Sequence, residues 1–331
     1  MPHRYTIPPQ DANRRLDRFL FAYLQEAPHP LLYKLLRKKR VKLNGARAEG
    51  NETLNEGDTL DFYLSPETLA SLHGARSIPP AAKLTGIIYE NEHLLIVNKP
   101  AGMPSHGGAT MASGENNDHL LARVLHYLYE SGGYDPSDTF TPALCNRLDV
   151  NTSGLVVCGK TLYMLQTCAG LFANGGFDKE YLAVVEGKLE GEAVLHGEYI
   201  KDEKTNTARV TSAVGGHSLH PPDSAKPVIT RYQSLAVSDM YSLLLVRPVT
   251  GRSHQIRAHL ASIGHPLAGD KKYGGKTTPY APAQLLHAYR LTLTNSKETD
   301  GFPTPASWTA PLPHKFRRFV QECFHININK I

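Results

Sequence analysis

The sequence predicts an α+β protein in which a mixed, largely antiparallel sheet forms a large second domain behind a small N-terminal domain of two helices and a β-hairpin. Three observations carry that prediction. Apolar residues recur at helical spacing in two short segments before residue 40. An Asn-Gly pair at 44–45 then joins strand-like runs. Beyond residue 84, seven strand-like stretches are interrupted by three helical ones, without the regular alternation that a doubly wound parallel sheet requires. A chain of 331 residues is long enough for two domains.

In the first domain Leu16, Phe19, Leu20, Tyr23 and Leu24 fall at i, i+3, i+4, i+7 and i+8 within 15–26, one face of a helix. Pro28 and Pro30 end it. A second helix over 31–39 buries Leu31, Leu32, Leu35 and Leu36. Val41-Lys42-Leu43 alternates as a strand, Asn44-Gly45 signals a hairpin, and Gly57-Asp58 leads into a strand over 59–64. From Lys34 to Arg47 there are seven basic residues and no acid. Charge alone reads equally well as a solvated helix face. Two short helices and a small hairpin with cations on the second helix and adjoining strand, over 14–64, resemble the S-four-like RNA-binding domain. That resemblance implies that Lys34, Arg37, Lys38, Lys39, Arg40 and Lys42 meet RNA phosphates, each contact releasing a condensed counterion. A linker over 65–83, with Pro66 and Pro79-Pro80, ends the domain.

In the second domain, 84–331, strands are predicted over 87–89, 94–97, 155–158, 181–185, 229–232, 241–246 and 286–293. Helices are predicted over 118–130, over 161–173 with Gly175-Gly176 as the stop, and over 253–262. Residues 308–323 read as a closing amphipathic helix, and 215–226, rich in Gly, Ser, His and Pro, as a mobile surface loop.

The most informative segment runs Asn146-Arg147-Leu148-Asp149-Val150-Asn151-Thr152-Ser153-Gly154-Leu155 and enters the strand at 155–158. In extended backbone Arg147 and Asp149 share a face, which sets a cation beside a carboxylate next to a polar turn. An Arg-x-Asp pair alone is usually a structural ion pair. The whole string, however, resembles the active-site motif of the RluA family of pseudouridine synthases. Three further segments agree, in the family's order: 89–103 ending in Asn98-Lys99-Pro100-Ala101-Gly102, Lys179-Glu180-Tyr181, and Thr250-Gly251-Arg252-Ser253-His254-Gln255-Ile256-Arg257, followed by 264–270. The His106-Gly107-Gly108 loop is similar to members that act on large-subunit ribosomal RNA. Asn146 stands where the family more often has His, and Val150 where Arg is common; both departures bear on contacts to flanking nucleotides and leave Asp149 in place.

The resemblance implies a pseudouridine synthase fold and an RNA isomerase. Making pseudouridine breaks the glycosidic carbon–nitrogen bond, turns the uracil and rejoins it through carbon 5. Nothing is oxidised and no cosubstrate is consumed, so no cofactor and no metal are expected. By resemblance Asp149 is the catalytic carboxylate, acting as nucleophile or as base toward a ribose proton, Arg257 is its basic partner, and Tyr181 lies against the uracil. Arg147 is expected to enter the space a flipped base leaves. Arg252 and Lys99 are expected to contact phosphate, with structural ion pairs as the alternative. Family members with the extra domain usually act on large-subunit (23S) ribosomal RNA, the partner expected here. Transfer RNA, or a non-catalytic RNA-binding role in ribosome assembly, are the alternatives, and no obligate protein partner is implied.

Composition narrows the rest. The four cysteines contain no Cys-x-x-Cys pair, which argues against a structural zinc site. His254 and His259 are spaced i, i+5 rather than the i, i+4 that suits zinc on a helix, and no Glu stands beside them. No apolar run approaches the ~20 residues of a membrane span, and the first ten residues lack the apolar stretch of a signal peptide. A cytoplasmic protein without membrane contact is the expectation. The net charge of +5 says less about nucleic acid than where the charge sits.

Overall fold

The computed structural model describes residues 2–74, 78, 81–107, 118–202, 205–212, 225–294, 301–303 and 306–326. The first sheet is antiparallel, built from β1 (His3–Thr6), β2 (Val41–Leu43), β3 (Ala46–Arg47) and β4 (Thr59–Phe62) in the order β1-β4-β2-β3. Against it pack α1 (Leu16–Tyr23) and α2 (His29–Arg37), whose Leu16, Phe19, Leu20, Leu32 and Leu36 join Val41, Leu60 and Phe62 in one core. The expected helical stripe therefore faces inward. Pro30, expected as a breaker, instead sits in the first turn of α2, where a missing N–H costs nothing. Strand β1 escapes sequence reading because its residues are polar; pairing with β4 recruits it, and Arg4 bonds Asp61 at 2.7 Å. The stretch expected as linker contains α3 (Pro66–Leu72). Ser65 caps it by accepting from the Thr68 N–H at 3.2 Å, and Leu69 enters the first core.

The second sheet has eleven strands among the described residues. In chain order its elements are β5 (Ile87–Glu90), β6 (Leu94–Lys99), α4 (Leu120–Glu130), β7 (Ala143–Leu144), β8 (Ser153–Gly159), α5 (Leu162–Asn174) and β9 (Phe177–Glu186). There follow β10 (Glu192–Asp202), β11 (Thr207–Ser212), β12 (Lys226–Val237), β13 (Tyr241–Pro248), α6 (Gln255–Ser262), β14 (Leu286–Leu293), β15 (Ser307–Thr309) and α7 (His314–Phe324). The strand order is β11-β10-β12-β13-β9-β14-β8-β6-β5, with β15 on β14 and β7 on β8. Every pairing is antiparallel except β14 with β8, so the mixed, largely antiparallel sheet expected from the sequence is present.

Two differences from the sequence reading have local causes. Strands β10 and β11 are largely polar, and their pairing rather than their hydrophobicity defines them. The closing helix begins at His314 rather than Trp308 because Pro311 and Pro313 keep the approach extended, leaving Trp308 in β15. Most of the expected loop at 215–226 lies outside the described residues.

The parallel contact between β8 and β14 seats the central motif. Ser153 and Gly154 stand opposite His287 and Ala288, and the Ser153 hydroxyl lies 2.8 Å from Nδ1 of His287. Gly154 has φ 118°, and a Cβ there would fall 2.2 Å from the Ala288 carbonyl oxygen, so only glycine allows this approach. At the seam between the two sheets, buried Asp11 accepts from the Tyr5 hydroxyl, Arg14 and the Thr139 hydroxyl, and Arg14 also donates to the Thr139 carbonyl at 3.1 Å.

Candidate active site

Asp149 sits on the connection between β7 and β8, where the Thr152 N–H closes a turn onto its carbonyl at 3.0 Å. The loop after β6 holds the residues on either side. Ser105 Oγ donates to the Leu148 carbonyl at 2.9 Å and accepts from the Leu148 N–H at 3.2 Å. The Val150 carbonyl accepts from the Gly102 N–H at 2.9 Å and from Lys99 Nζ at 3.0 Å. Upstream, the Asn146 side chain accepts from the Val157 N–H at 2.8 Å and donates to the Leu155 carbonyl at 3.3 Å. Asn146 is thus occupied with β8. Asp149 is held at both neighbours while its own side chain stays 26% exposed.

On a separate segment, Gln255 at the start of α6 fastens the preceding turn. It accepts from the Arg252 N–H at 3.0 Å and the Thr250 hydroxyl at 2.8 Å, and donates to the Ile229 carbonyl at 2.9 Å. Two residues on, buried Arg257 donates from Nη1 to Asp149 Oδ2 at 2.8 Å, and from Nε and Nη2 to the two oxygens of Asp270 at 2.7 and 2.8 Å. Asp270 is 1% exposed. Its approach depends on Gly269, whose φ of 85° and close passage by the Ala283 carbonyl exclude a side chain. Burial alone would lower the Arg257 pKa, but the hydrogen bonds and charges of Asp270 and Asp149 outweigh it and raise the pKa. Arg257 is a fixed cation.

Tyr181 on β9 is half-buried; burial first, and the nearby Asp149 charge second, push its hydroxyl up to about 12, so it is a neutral ring. Arg147 is exposed two residues before Asp149, and Val150 is exposed one residue after it. Arg252 is half-buried with its Nε lacking a hydrogen-bond partner. Lys99 departs from its expected role. It is wholly buried, and Nζ donates to the carbonyls of Pro100, Met103 and Val150, so it holds the loops under Asp149 and cannot reach phosphate. Burial lowers its pKa to about 8 against the opposing pull of Asp149, which leaves it protonated at neutral pH. Of the histidines weighed as metal ligands, His259 is engaged elsewhere, with Nδ1 3.0 Å from the Thr230 hydroxyl.

Sequence reasoning missed Ser105, Asp270 and Tyr273, whose hydroxyl lies 2.9 Å from Nδ1 of His254, as parts of this site, and weighed His254, with Nε2 3.7 Å from Asp149, only as a metal ligand. Asp270 lies in the matched string 264–270, but nothing local in it announces an anchor for Arg257.

The mixed sheet brings the Asp149 carboxylate to the Arg257 guanidinium and places Tyr181 near enough to feel its charge, the grouping that the resemblance to pseudouridine synthases implies. The family model described as RNA pseudouridylate synthase matches residues 93–262, half of the chain. The chain is 30% identical over 330 residues to ribosomal large subunit pseudouridine synthase D of Nitrosomonas europaea, covering 96% of this chain and 86% of that one. It is 31% identical over 294 residues to ribosomal large subunit pseudouridine synthase C of Vibrio cholerae, covering 85% of each. Among solved structures, human RNA pseudouridylate synthase domain containing 4 shares the fold, with a TM-score of 0.55 at 23% identity over 71% of this chain and 92% of its own. The chain belongs to the RluA family of RNA pseudouridine synthases, isomerases that turn uridine into pseudouridine within RNA.

Proposed function

We propose that this enzyme isomerises uridines of large-subunit ribosomal RNA, with Asp149 as the catalytic carboxylate, Arg257 as its cation and Tyr181 as the ring against the uracil. The names of the relatives from Nitrosomonas europaea and Vibrio cholerae support the choice of RNA. The observation that carries the catalytic assignment is the division of the Arg257 guanidinium: two of its nitrogens are engaged by buried Asp270 and one by Asp149, whose Oδ1 is left outside that grip. In this reading the target nucleotide leaves its stack, Arg147 fills the gap, and Asp149 either attacks the ribose or removes a ribose proton as the glycosidic bond breaks. The freed uracil turns on Tyr181 and rejoins through carbon 5, which gives up its hydrogen.

The N-terminal domain is assigned to RNA binding of the S-four-like kind. Lys34, Arg37, Lys38, Lys39 and Arg40 are exposed, and Lys38, Lys39, Arg40, Lys42 and Tyr63 line an open cavity of about 450 Å³. The Lys42 ammonium lies 5.0 Å from the Tyr63 ring centre, a cation–π contact that presents an aromatic face among cations, as single-stranded RNA sites do.

Tritium release from transcripts labelled at uracil carbon 5 tests both parts. Asp149→Asn is expected to cut release from a 23S transcript by at least about 10³-fold while filter binding of the RNA persists. Undiminished release would remove Asp149 from the chemistry, and release from transfer RNA but not from 23S transcripts would overturn the substrate.

A further inference from the structure

The grip on Asp149 is incomplete. Arg257 offers it a single nitrogen, because the rest of the guanidinium fork is committed to Asp270. One contact restrains Oδ2 only loosely, because both oxygens swing together about the last side-chain bond and that torsion is soft. On the other side stands His254, at the N-cap of α6, with Nε2 3.7 Å from Asp149 Oδ1. His254 has φ 54°, a left-handed backbone that side chains other than Asn, Asp and His adopt seldom.

We propose that His254 is a positioning residue for the reaction, donating from Nε2 to Asp149 Oδ1 when the nucleotide enters and so fixing the plane of the carboxylate that Arg257 holds at one point. The proposal rests on Asp149 being the catalytic carboxylate. The tautomer follows from the hydrogen bonds. The Ala208 N–H donates to the Tyr273 hydroxyl oxygen at 2.9 Å, and that oxygen stands 2.9 Å from Nδ1 of His254. With the tyrosine hydrogen directed at Nδ1, the imidazole carries its own hydrogen on Nε2; the opposite tautomer would aim a lone pair at a carboxylate. Tyr273 ties the two donors together, since the Arg257 guanidinium also lies 4.9 Å from its ring centre. Burial lowers the His254 pKa, so the ring faces Asp149 as a neutral donor rather than as a second cation. The separation of 3.7 Å is beyond hydrogen-bond range. A turn of the carboxylate toward His254 closes it, in keeping with catalytic contacts that tighten only in the complex.

Three substitutions in the full chain, assayed on a 23S transcript labelled at uracil carbon 5, separate positioning from packing. His254→Ala is expected to lower kcat about 10- to 100-fold, the worth of a hydrogen bond to a charged group, with KM changed less than about twofold. In His254→Gln an amide nitrogen stands where Nε2 stood, and most of that activity is expected to return. Asn suits the left-handed backbone better and reaches only the Nδ1 position, so His254→Asn is expected to melt like the wild type and remain slow. Asn restoring more activity than Gln, a loss confined to KM, or unchanged kcat in His254→Ala would each overturn the proposal. Asp149→Asn is run alongside: if it stays active, the reading of Asp149 has failed, whereas a dead Asp149→Asn with a fully active His254→Ala rejects the role of His254 alone.

Discussion

Along α2 and the turn into β2 the cations Lys34, Arg37, Lys38, Lys39 and Arg40 stand exposed without a salt bridge among the described residues, whereas around Asp149 the cations Arg257 and Lys99 are buried against carboxylates and carbonyls. The two regions use the same residue types for opposite ends. An exposed cation exchanges small counterions for a phosphate, so its contribution is long-ranged and weakens as salt rises. A buried cation has already been desolvated, and its contribution is to geometry and stability, with little sensitivity to salt. Salt is therefore expected to act on RNA affinity through the first region and to leave the architecture of the second unchanged.

The largest test of that contrast is Arg257→Met. It leaves buried Asp270 and half-buried Asp149 without their shared cation, and is expected to cost about 3 to 5 kcal/mol in urea unfolding together with loss of turnover. Wild-type stability in this variant would erase the distinction between the regions. Lys99→Met comes next. It strands three carbonyls and is expected to cost about 2 to 3 kcal/mol at pH 7. The pH dependence has a definite sign. The folded pKa of about 8 lies below the ordinary 10.5, so between those values the unfolded chain holds more protons, and the stability margin of wild type over Lys99→Met widens as pH rises through that window. A margin that narrows would show that the charge on Lys99 is favoured by the fold. The smallest effect is expected from replacing Lys34, Lys38 and Lys39 with Gln. Folding stability should change by less than about 0.5 kcal/mol. The slope of log affinity against log salt should flatten by ~0.9 for each duplex phosphate that is no longer neutralised, or by ~0.7 on a single strand. An unaltered slope would mark those lysines as merely solvated.

The parts of the molecule legible in the sequence are those whose signal is local. The α1 stripe from Leu16 to Leu24 and the alternation of β2 need no partner to be recognised, and the string around Asp149 with the one ending at Arg257 carries the family resemblance. What stays hidden depends on contacts between distant segments. β1 and β10 are strands because of what they pair with, not because of hydrophobic pattern. Asp270 matters because Gly269 lets the chain pass under Arg257, and Ser105 matters because it meets Leu148 from 43 residues away. Lys99 shows the converse error: its charge is written in the sequence, but its burial is not, and burial decides whether an amine meets phosphate or carbonyls.

The charged group around Asp149 that forms the floor of the candidate site is electrically balanced. Asp149 and Asp270 contribute two negative charges, and Arg257 and the protonated Lys99 two positive ones, so the four cancel. A polyanion approaching from bulk water feels no net pull from such a floor. In the proposed function, attraction for RNA therefore falls to cations outside this group of four, exposed Arg147 among them.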